Sequence, residues 1–167
     1  MKIALIAAIG KHHEIAIGKE LPWQLPDDVS DFRQKIRGHT VLMGRKTFET
    51  IGHPLKDSPT IIITRQKDYH SEGCSVFHTI DEGIDFANQS GKEKLFILGG
   101  GEIYKTTLPL ATDLYLTHVD GEFPSATAFF PPVEWALWKE LPEETITFEQ
   151  SYRNSHAFVI KHYLRKQ

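Results

Sequence analysis

The sequence predicts an α/β domain with a mainly parallel sheet, helices on both faces and an antiparallel hairpin at the C-terminus. Short apolar runs alternate along the chain with longer segments of helical pattern, which is typical of parallel strands and their crossover helices. Near the C-terminus, two strand-like segments follow each other with only a short polar turn between them, which indicates an antiparallel pair. The chain has 167 residues, the length of one domain with a single core.

Each element of this prediction comes from a local pattern. Apolar runs predict strands at Ile3–Ile9, Thr40–Met43, Thr60–Thr64, Ser75–His78, Lys94–Leu98 and Leu114–Val119. Helical patterns occur at Pro26–Arg37, Thr47–Ile51, Ile80–Gln89 and Glu102–Leu108. The hairpin is expected from Thr145–Gln150 and His156–Arg165. No repeat or Pro/Ser-rich linker divides the chain, so residues 1–167 are expected to form one domain.

The composition is that of an ordinary globular protein. Hydrophobic residues make up 40% and charged residues 25%, which excludes a disordered chain, and the net charge of −3 favours neither nucleic acid nor an acidic membrane. The single cysteine, Cys74, rules out an internal disulfide and fits the reducing cytosol. The first apolar run is too short for a membrane helix and is interpreted as a buried strand rather than a signal peptide. The histidines lack metal-binding spacing, so no metal is expected.

A triple-glycine turn follows one of the predicted strands. The run that ends at Leu98 leads into Gly99, Gly100 and Gly101 and then into a helix start. Glycines let the backbone turn sharply and approach a ligand closely, and a helix start offers unpaired N–H groups to an anion. Tyr104 stands where the dinucleotide fingerprint needs its third glycine, so that fingerprint is absent. A tight turn that binds no ligand is the alternative.

Basic residues follow two other strands. Gly44 is followed by Arg45, Lys46 and Thr47, and Arg65 comes directly after the run that ends at Thr64. Ligands of open α/β sheets bind beyond the carboxyl ends of the strands, and a guanidinium donates two hydrogen bonds to a phosphate. A solvated charge is the simpler explanation of any one of them. Their recurrence in a mildly acidic chain favours NADPH, with its 2′-phosphate, over NADH.

One acid of the first predicted helix lies close to its apolar stripe. At about 100° per residue, a narrow stripe forms from Leu25, Val29, Phe32 and Ile36. Asp27 and Asp31 fall on the far side, whereas Asp28 lies only about 70° from the stripe's centre. A carboxylate beside the apolar stripe is partly desolvated and needs a polar partner, so Asp28 could bind a basic heterocycle. An acid favoured by the helix dipole is the alternative explanation.

Together these segments resemble the dihydrofolate reductases of bacteria. The matching segments, in the family's order, are Leu5–Ala8, Leu21–Asp28, Met43–Gly52, Pro54–Leu55, Thr64–Arg65, Gly99–Tyr104 and Leu114–His118. The resemblance covers about residues 1–131, and the terminal hairpin matches loosely.

The resemblance implies a central mixed sheet of eight strands and the NADPH-dependent reduction of 7,8-dihydrofolate to tetrahydrofolate. Hydride would go to pterin C6 and a proton to N5. Asp28 would hold the pterin's 2-amino group and N3, with Thr117 beside it, and Leu21 and Trp23 would belong to a mobile loop over the nicotinamide. A cytoplasmic monomer that antifolates inhibit is expected.

The family's other site residues carry over by position. The expected substrate-binding residues are Ile6, Ala7, Ala8, Asp28, Val29, Phe32, Arg33, Ile51, Leu55, Leu98, Tyr104 and Thr117. The expected cofactor-binding residues are Ala8, Ile15, Ala16, Gly18, Lys19, Gly44, Arg45, Lys46, Thr47, Thr64, Arg65, His78, Gly99, Gly100, Gly101, Glu102, Ile103 and Tyr104. A cis peptide between Gly99 and Gly100 is also implied.

The chain departs from the family's pattern at three positions. Ser58 replaces an arginine that binds the carboxylate of the substrate's glutamate tail, so we expect weaker folate binding unless Arg33 or Lys56 compensates. The 122–131 segment lacks an aspartate that supports the loop over the cofactor, and Ala16 replaces a common glycine. Two alternatives therefore stay open. One is a reductase of another dihydropterin or of a pyrimidine without that tail, and the other is a catalytically silent NADPH-binding protein.

Overall fold

A central β-sheet eight strands wide crosses the protein, whose computed structural model describes all residues from 1 to 167. In chain order the strands are β1 (Lys2–Ile9), β2 (Glu14–Ala16), β3 (Thr40–Gly44), β4 (Thr60–Ile63), β5 (Cys74–Phe77), β6 (Lys94–Ile97), β7 (Asp113–Val119), β8 (Ala128–Phe129), β9 (Trp138–Glu140), β10 (Ile146–Phe148) and β11 (Phe158–Arg165). The α-helices are α1 (Pro26–Ile36), α2 (Arg45–Ile51), α3 (Ile80–Gln89) and α4 (Gly101–Thr107). Short 3₁₀ turns occupy Leu108–Leu110, Trp135–Leu137 and Pro142–Glu144.

The sheet is parallel except at one edge. Its strand order is β10-β11-β7-β1-β6-β3-β4-β5, and only β11 runs against the other strands, so that its pairings with β7, β9 and β10 are antiparallel. The short strand β9 pairs with the end of β11 that β10 leaves free, so the outer edge of β11 is shared by two strands. Strands β2 and β8 form a separate two-stranded sheet. The expected mixed, mostly parallel eight-stranded sheet is confirmed, with β9 as a short addition.

Helices cover both faces of the sheet. On one face, Val41, Met43 and Ile62 pack in a cluster that includes residues of α1 and α2. On the other face, Leu42 and Ile61 pack with residues of α3 and α4. Strands that are covered on both faces read as continuous apolar runs, which is why the strand prediction from the sequence worked.

The predicted element ends differ from the observed ones by one or two residues. The boundaries of α3 are as predicted because Thr79 caps its start, accepting a hydrogen bond from the backbone N–H of Glu82. Helix α2 begins two residues earlier than predicted, at Arg45, because Gly44 is extended and serves as the N-cap. The terminal strands are shorter than predicted, since β10 spans Ile146–Phe148 and β11 begins at Phe158. Among the helices, none combines the length and the apolar character needed to cross a membrane.

Candidate active site

A cleft of about 720 Å³ opens between β1, α1 and α2, on the face of the sheet that these two helices cover. Side chains of all three elements form its walls. Its lining residues include Ile6, Ala7, Ala8, Leu21, Asp28, Val29, Phe32, Arg33, Thr47, Ile51, Leu55, Leu98 and Tyr104. The structure thus brings together almost all of the substrate-binding residues expected from the sequence. Thr117 is outside the lining and lies behind Asp28.

Helix α1 sets the position of the acid in this cleft. Pro26 occupies the start of the helix, where its missing N–H costs nothing, and two acids follow in the first turn. Leu25 and Ile36 are buried and fix the two ends of the apolar stripe. Val29, in the middle of the stripe, is 38% exposed because it faces the open cleft. The stripe therefore serves both the core and the cleft.

Asp28 is the acid at the inner part of the cleft. The hydroxyl of Thr117, on β7, donates a hydrogen bond of 2.5 Å to Oδ1 of Asp28, and Oδ2 makes no hydrogen bond within the chain. Burial raises the pKa of Asp28, and the charge of Asp31 acts in the same direction, while the Thr117 bond and Lys35 oppose the rise. The carboxyl group therefore favours a ligand that brings it a proton or a positive charge.

The other two acids of α1 have partners. Asp27 faces away from the cleft and accepts hydrogen bonds from Arg153 and Asn154, at 3.1 and 2.8 Å. The expectation that Asp31 also lies on the far side is wrong, because Asp31 is at the rim of the cleft and forms a 2.5 Å ion pair with Lys35. Asp28 is therefore the one acid of α1 whose carboxylate has no cationic partner in the chain.

The triple-glycine turn lies beside the same cleft. The peptide between Gly99 and Gly100 is cis, as the resemblance implies, and Gly99 has a φ of +99°. A Cβ on Gly99 would lie 2.7 Å from the ring of Tyr104, so a side chain would not fit there. The backbone N–H of Gly44 donates to the carbonyl of Gly99, which holds the turn against the end of β3.

Tyr104 joins this turn to the central strand. Its hydroxyl donates a 2.7 Å hydrogen bond to the carbonyl of Ile6, and burial raises its pKa well above the ordinary value of 10.0. Tyr104 therefore stays protonated and acts as a fixed strut rather than as an acid in the reaction. Ile103, on the same helix, is half-buried, and Glu102 is exposed.

A group of the expected cofactor residues follows β3, β4 and β5, which are neighbours in the sheet. Lys46, Arg65 and His78 are exposed there. Thr64 is buried, and its carbonyl is 2.9 Å from Nδ1 of His78. The strand order thus brings together basic groups that are far apart in the sequence.

Arg45 differs from the other expected phosphate ligands because it already has a partner. Its Nη1 lies 2.6 Å from a carboxylate oxygen of Glu49, one helical turn further on. Thr47 lines the cleft, and its hydroxyl oxygen would be 3.5 Å from a Cβ on Gly100. A phosphate at this strand end would have to compete with Glu49 for Arg45.

The cover loop, residues 14–23, borders the cleft. Leu21 is 58% exposed and lines the cleft, but Trp23 is buried outside it, in a cluster with Leu25. Ile15 packs against the main core, and Ala16 ends β2. Gly18 has a positive φ, and Lys19 is exposed. The structure does not bring Trp23 into the cleft, so any effect of this indole on a ligand acts through packing.

Comparison with known proteins agrees with this geometry. A sequence model of the family described as dihydrofolate reductase matches residues 2–165. The dihydrofolate reductase of Neisseria meningitidis serogroup A is 39% identical over 166 residues, which are 99% of both chains. That of Bacillus subtilis is 33% identical, over 95% of this chain and 92% of the relative.

The chain belongs to the dihydrofolate reductase family. A solved dihydrofolate reductase from Enterococcus faecalis, in complex with NADP(H) and RAB-propyl, superimposes with a TM-score of 0.89. It is 31% identical to this chain, and the match covers 99% of this chain and 97% of that one.

Two departures from the dihydrofolate reductase pattern have structural counterparts. Ser58 is buried, and its hydroxyl donates to the carbonyl of Ile36, so it ties the segment after α2 to the end of α1. Thr127 lies in the segment that lacks the family's aspartate, and its hydroxyl oxygen accepts a 2.7 Å hydrogen bond from the N–H of Gly18. A hydroxyl group thus holds the cover loop here.

Sequence reasoning missed two residues near the site. Arg37 lies just beyond α1 and lines the outer end of the cleft. Glu14, the first residue of the cover loop, follows a polar stretch of sequence but is buried. A basic residue just before Gly38 is typical of a helix end, so no local pattern distinguished Arg37. No group of His, Cys, Asp and Glu side chains is arranged to hold a metal ion.

Proposed function

We propose that this chain reduces 7,8-dihydrofolate to 5,6,7,8-tetrahydrofolate with NADPH, and that Asp28 holds the pterin. The observation that carries this proposal is the position of Asp28. Its carboxylate lies in a largely apolar cleft that also contacts Leu98, the residue before the triple-glycine turn. A pterin bound to Asp28 and a nicotinamide bound beside the triple-glycine turn would therefore lie next to each other in this cleft.

The residues of the cleft bind and orient rather than attack. Oδ2 of Asp28 has no partner in the chain and can accept hydrogen bonds from the 2-amino group and N3 of a pterin. Its negative charge favours protonation of the ring, which makes C6 a better hydride acceptor. Ile6, Phe32 and Leu98 exclude water from the ring faces, which strengthens this charge interaction. Alignment of the two reacting carbons supplies the remaining catalysis.

The residues after β3, β4 and β5 fit the cofactor's phosphates. When bound, NADPH supplies the hydride. Thr47 and the backbone of Gly100 and Gly101 would approach its pyrophosphate, because a backbone without side chains allows a ligand to come close. Arg45, Lys46, Thr64 and Arg65 would hold the pyrophosphate and the 2′-phosphate.

The tail of the substrate is the point on which a second candidate function rests. Ser58 cannot form the bidentate pair that an arginine forms with a carboxylate. Arg33, Arg37 and Lys56 line the outer end of the cleft, and none of them has an ion-pair partner in the chain. These cations support dihydrofolate as the substrate, whereas Ser58 by itself favours a dihydropterin without the glutamate tail.

Steady-state kinetics with two substrates tests both candidates. NADPH oxidation is followed by its near-ultraviolet absorbance with dihydrofolate and with a dihydropterin that lacks the tail. We expect kcat/KM to be at least about tenfold higher for dihydrofolate, the worth of one charged hydrogen bond. Equal values would favour the second candidate, and no oxidation with either substrate would favour a silent NADPH-binding protein. Replacing NADPH by NADH should lower kcat/KM, because NADH lacks the 2′-phosphate.

We further propose that the enzyme works in the cytoplasm as a monomer and that antifolates compete with dihydrofolate for the cleft. The single cysteine supports a reducing compartment. Antifolates with a protonatable ring would meet Asp28 as the pterin does. Gel filtration checks the oligomeric state, and competition kinetics against dihydrofolate check the inhibitor site.

A further inference from the structure

Glu14 is a buried acid that the proposed chemistry does not use. It is 2% exposed, although it lies in a stretch of polar residues at the start of the cover loop. Each carboxylate oxygen accepts one backbone hydrogen bond of 2.6 Å, Oε1 from His12 and Oε2 from Phe123. Burial alone would raise the pKa of Glu14, but its own amide and those of Phe123 and His12 lower it overall, so the group is ionised at neutral pH.

The carboxylate of Glu14 joins two separate parts of the chain. His12 is in the turn before the cover loop, whereas Phe123 is in the segment between β7 and β8. The space around the carboxylate is shaped for it, since a Cβ on Gly10 would lie 2.6 Å from Oε1. A buried charge that is bonded at both oxygens fixes these two segments relative to each other more firmly than an apolar contact would.

Phe123 carries this constraint to the cover loop and the cleft. Its ring meets the indole of Trp23 edge to face, with 5.2 Å between the ring centroids. Phe123 packs against the cluster of Trp23, beside Ala8, which also lines the cleft. Leu21, two residues before Trp23, lines the cleft as well. Contacts therefore lead from Glu14 through Phe123 to Trp23, and the backbone joins Trp23 to Leu21 at the cleft.

We propose that Glu14 is a positioning residue for hydride transfer. Its carboxylate fixes Phe123, Phe123 fixes Trp23, and the cover loop is thereby held over the cleft with Leu21 facing the ligands. This inference rests on the proposed reductase function. Glu14 touches neither ligand, so its loss should slow the hydride step while the affinity for dihydrofolate changes little.

Single-turnover measurements on Glu14→Gln and Glu14→Ala test this proposal. Glutamine keeps the size of the side chain, but its amide group would face one of the two N–H donors. We expect the hydride-transfer rate to fall about 10- to 100-fold, because small misplacements of reacting groups have effects of that size. The Kd for dihydrofolate should change less than about threefold. The isotope effect with NADPH deuterated at the transferred position should rise toward the full value for hydride transfer.

Glu122→Gln is the matched control. Glu122 directly precedes Phe123, but its carboxylate is exposed and its ion pair is with His12, at 3.4 Å. The hydride-transfer rate and isotope effect of Glu122→Gln should therefore equal those of the wild type. Phe123→Leu keeps the backbone N–H and removes the ring. It should slow hydride transfer as Glu14→Gln does, and the double variant should lose less than the product of the two, because both act along one path.

The outcomes separate this inference from the proposed function. A wild-type chain that does not oxidise NADPH with dihydrofolate would remove the function itself. An active wild type whose folded Glu14→Gln variant keeps its hydride-transfer rate and isotope effect would overturn the positioning role. If Glu14→Ala does not fold, the comparison of Glu14→Gln with Phe123→Leu decides. Independent, multiplicative losses in the double variant would also overturn the proposed path.

Discussion

Replacement of Asp28 by asparagine is the most direct test of the site. The side chain keeps its shape, and its oxygen can still accept the hydrogen bond from Thr117. The negative charge is lost, and no other acid can supply it, because Asp31 at the rim is already paired with Lys35 at 2.5 Å. The whole electrostatic contribution to ring protonation should therefore disappear.

The expected loss of turnover is about 10²- to 10⁴-fold, the range for a positioned acid–base group. At about 1.36 kcal/mol per factor of ten, this corresponds to roughly 3 to 5 kcal/mol of the activation barrier. The assay is kcat against pH with saturating NADPH and dihydrofolate. Asp27→Asn is the matched control, since Asp27 precedes Asp28 and contacts Arg153 and Asn154 instead of the cleft, so its turnover should stay close to that of the wild type.

The same substitution should raise the stability of the ligand-free protein at neutral pH. Burial raises the pKa of Asp28 in the folded state above its ordinary value of 3.8, so ionising this carboxyl group opposes folding. The free energy of unfolding of the wild type therefore falls as the pH rises from about 3.8 through the folded-state pKa of Asp28, whereas that of Asp28→Asn does not fall for this reason. Thermal unfolding should show a higher Tm for the variant at pH 7 and no such advantage below pH 3.8. For the catalytic prediction, an Asp28→Asn variant that keeps most of its turnover at pH 7 would refute the proposed role of Asp28 in binding and activating the pterin.

Other substitutions test the surroundings of the site. Thr117→Val removes the hydrogen bond that lowers the pKa of Asp28, so the acid limb of the pH profile of kcat/KM should move to higher pH. The value of kcat/KM should fall about tenfold. An unchanged profile would show that Thr117 does not act on Asp28. Gly99→Ala puts a methyl group 2.7 Å from the ring of Tyr104, on a residue whose own φ is +99°. The free energy of unfolding, measured in urea, should fall by about 2–4 kcal/mol, and a loss below about 1 kcal/mol would contradict this expectation. Burial raises the pKa of Asp113, but hydrogen bonds from His162 and Thr112 lower this pKa overall. The ionised carboxylate therefore stabilises the fold above pH 3.8, and this stabilisation is lost as the pH falls through the folded-state pKa. Asp113→Asn should therefore be less stable at pH 7 by about 1.5–3 kcal/mol, and this deficit should shrink in acid, as urea unfolding at several pH values would measure.

The sheet and its flanking helices could be predicted because their signals are local. Continuous apolar runs such as Ile61–Ile63 mark strands that are buried on both faces, and the capping threonine at position 79 marks the start of α3. The short strands β2, β8 and β9 have two or three residues each. Their pairing depends on how distant loops meet, so no local pattern indicates them.

The candidate site could be predicted only in part. The helical geometry of α1 correctly sets Asp28 beside the apolar stripe, but it puts Asp31 on the wrong side, because the rim of the cleft is wider than the stripe. The family resemblance implied that Trp23 belongs to a loop over the nicotinamide, but the burial of Trp23 against Phe123 depends on a segment one hundred residues away in the sequence. Such contacts cannot be read from spacing along the chain.

Asp28 and Glu14 show how the surroundings of a carboxylate decide what it can do. Burial opposes ionisation of both Asp28 and Glu14. Asp28 receives one hydrogen bond, from Thr117, so its pKa stays raised, and one of its oxygens is left for a ligand. Glu14 receives backbone hydrogen bonds at both oxygens, so its pKa is lowered and nothing is left for a ligand to bind. Asp28 is therefore suited to recognise a protonated ring, and Glu14 is suited to fix a loop.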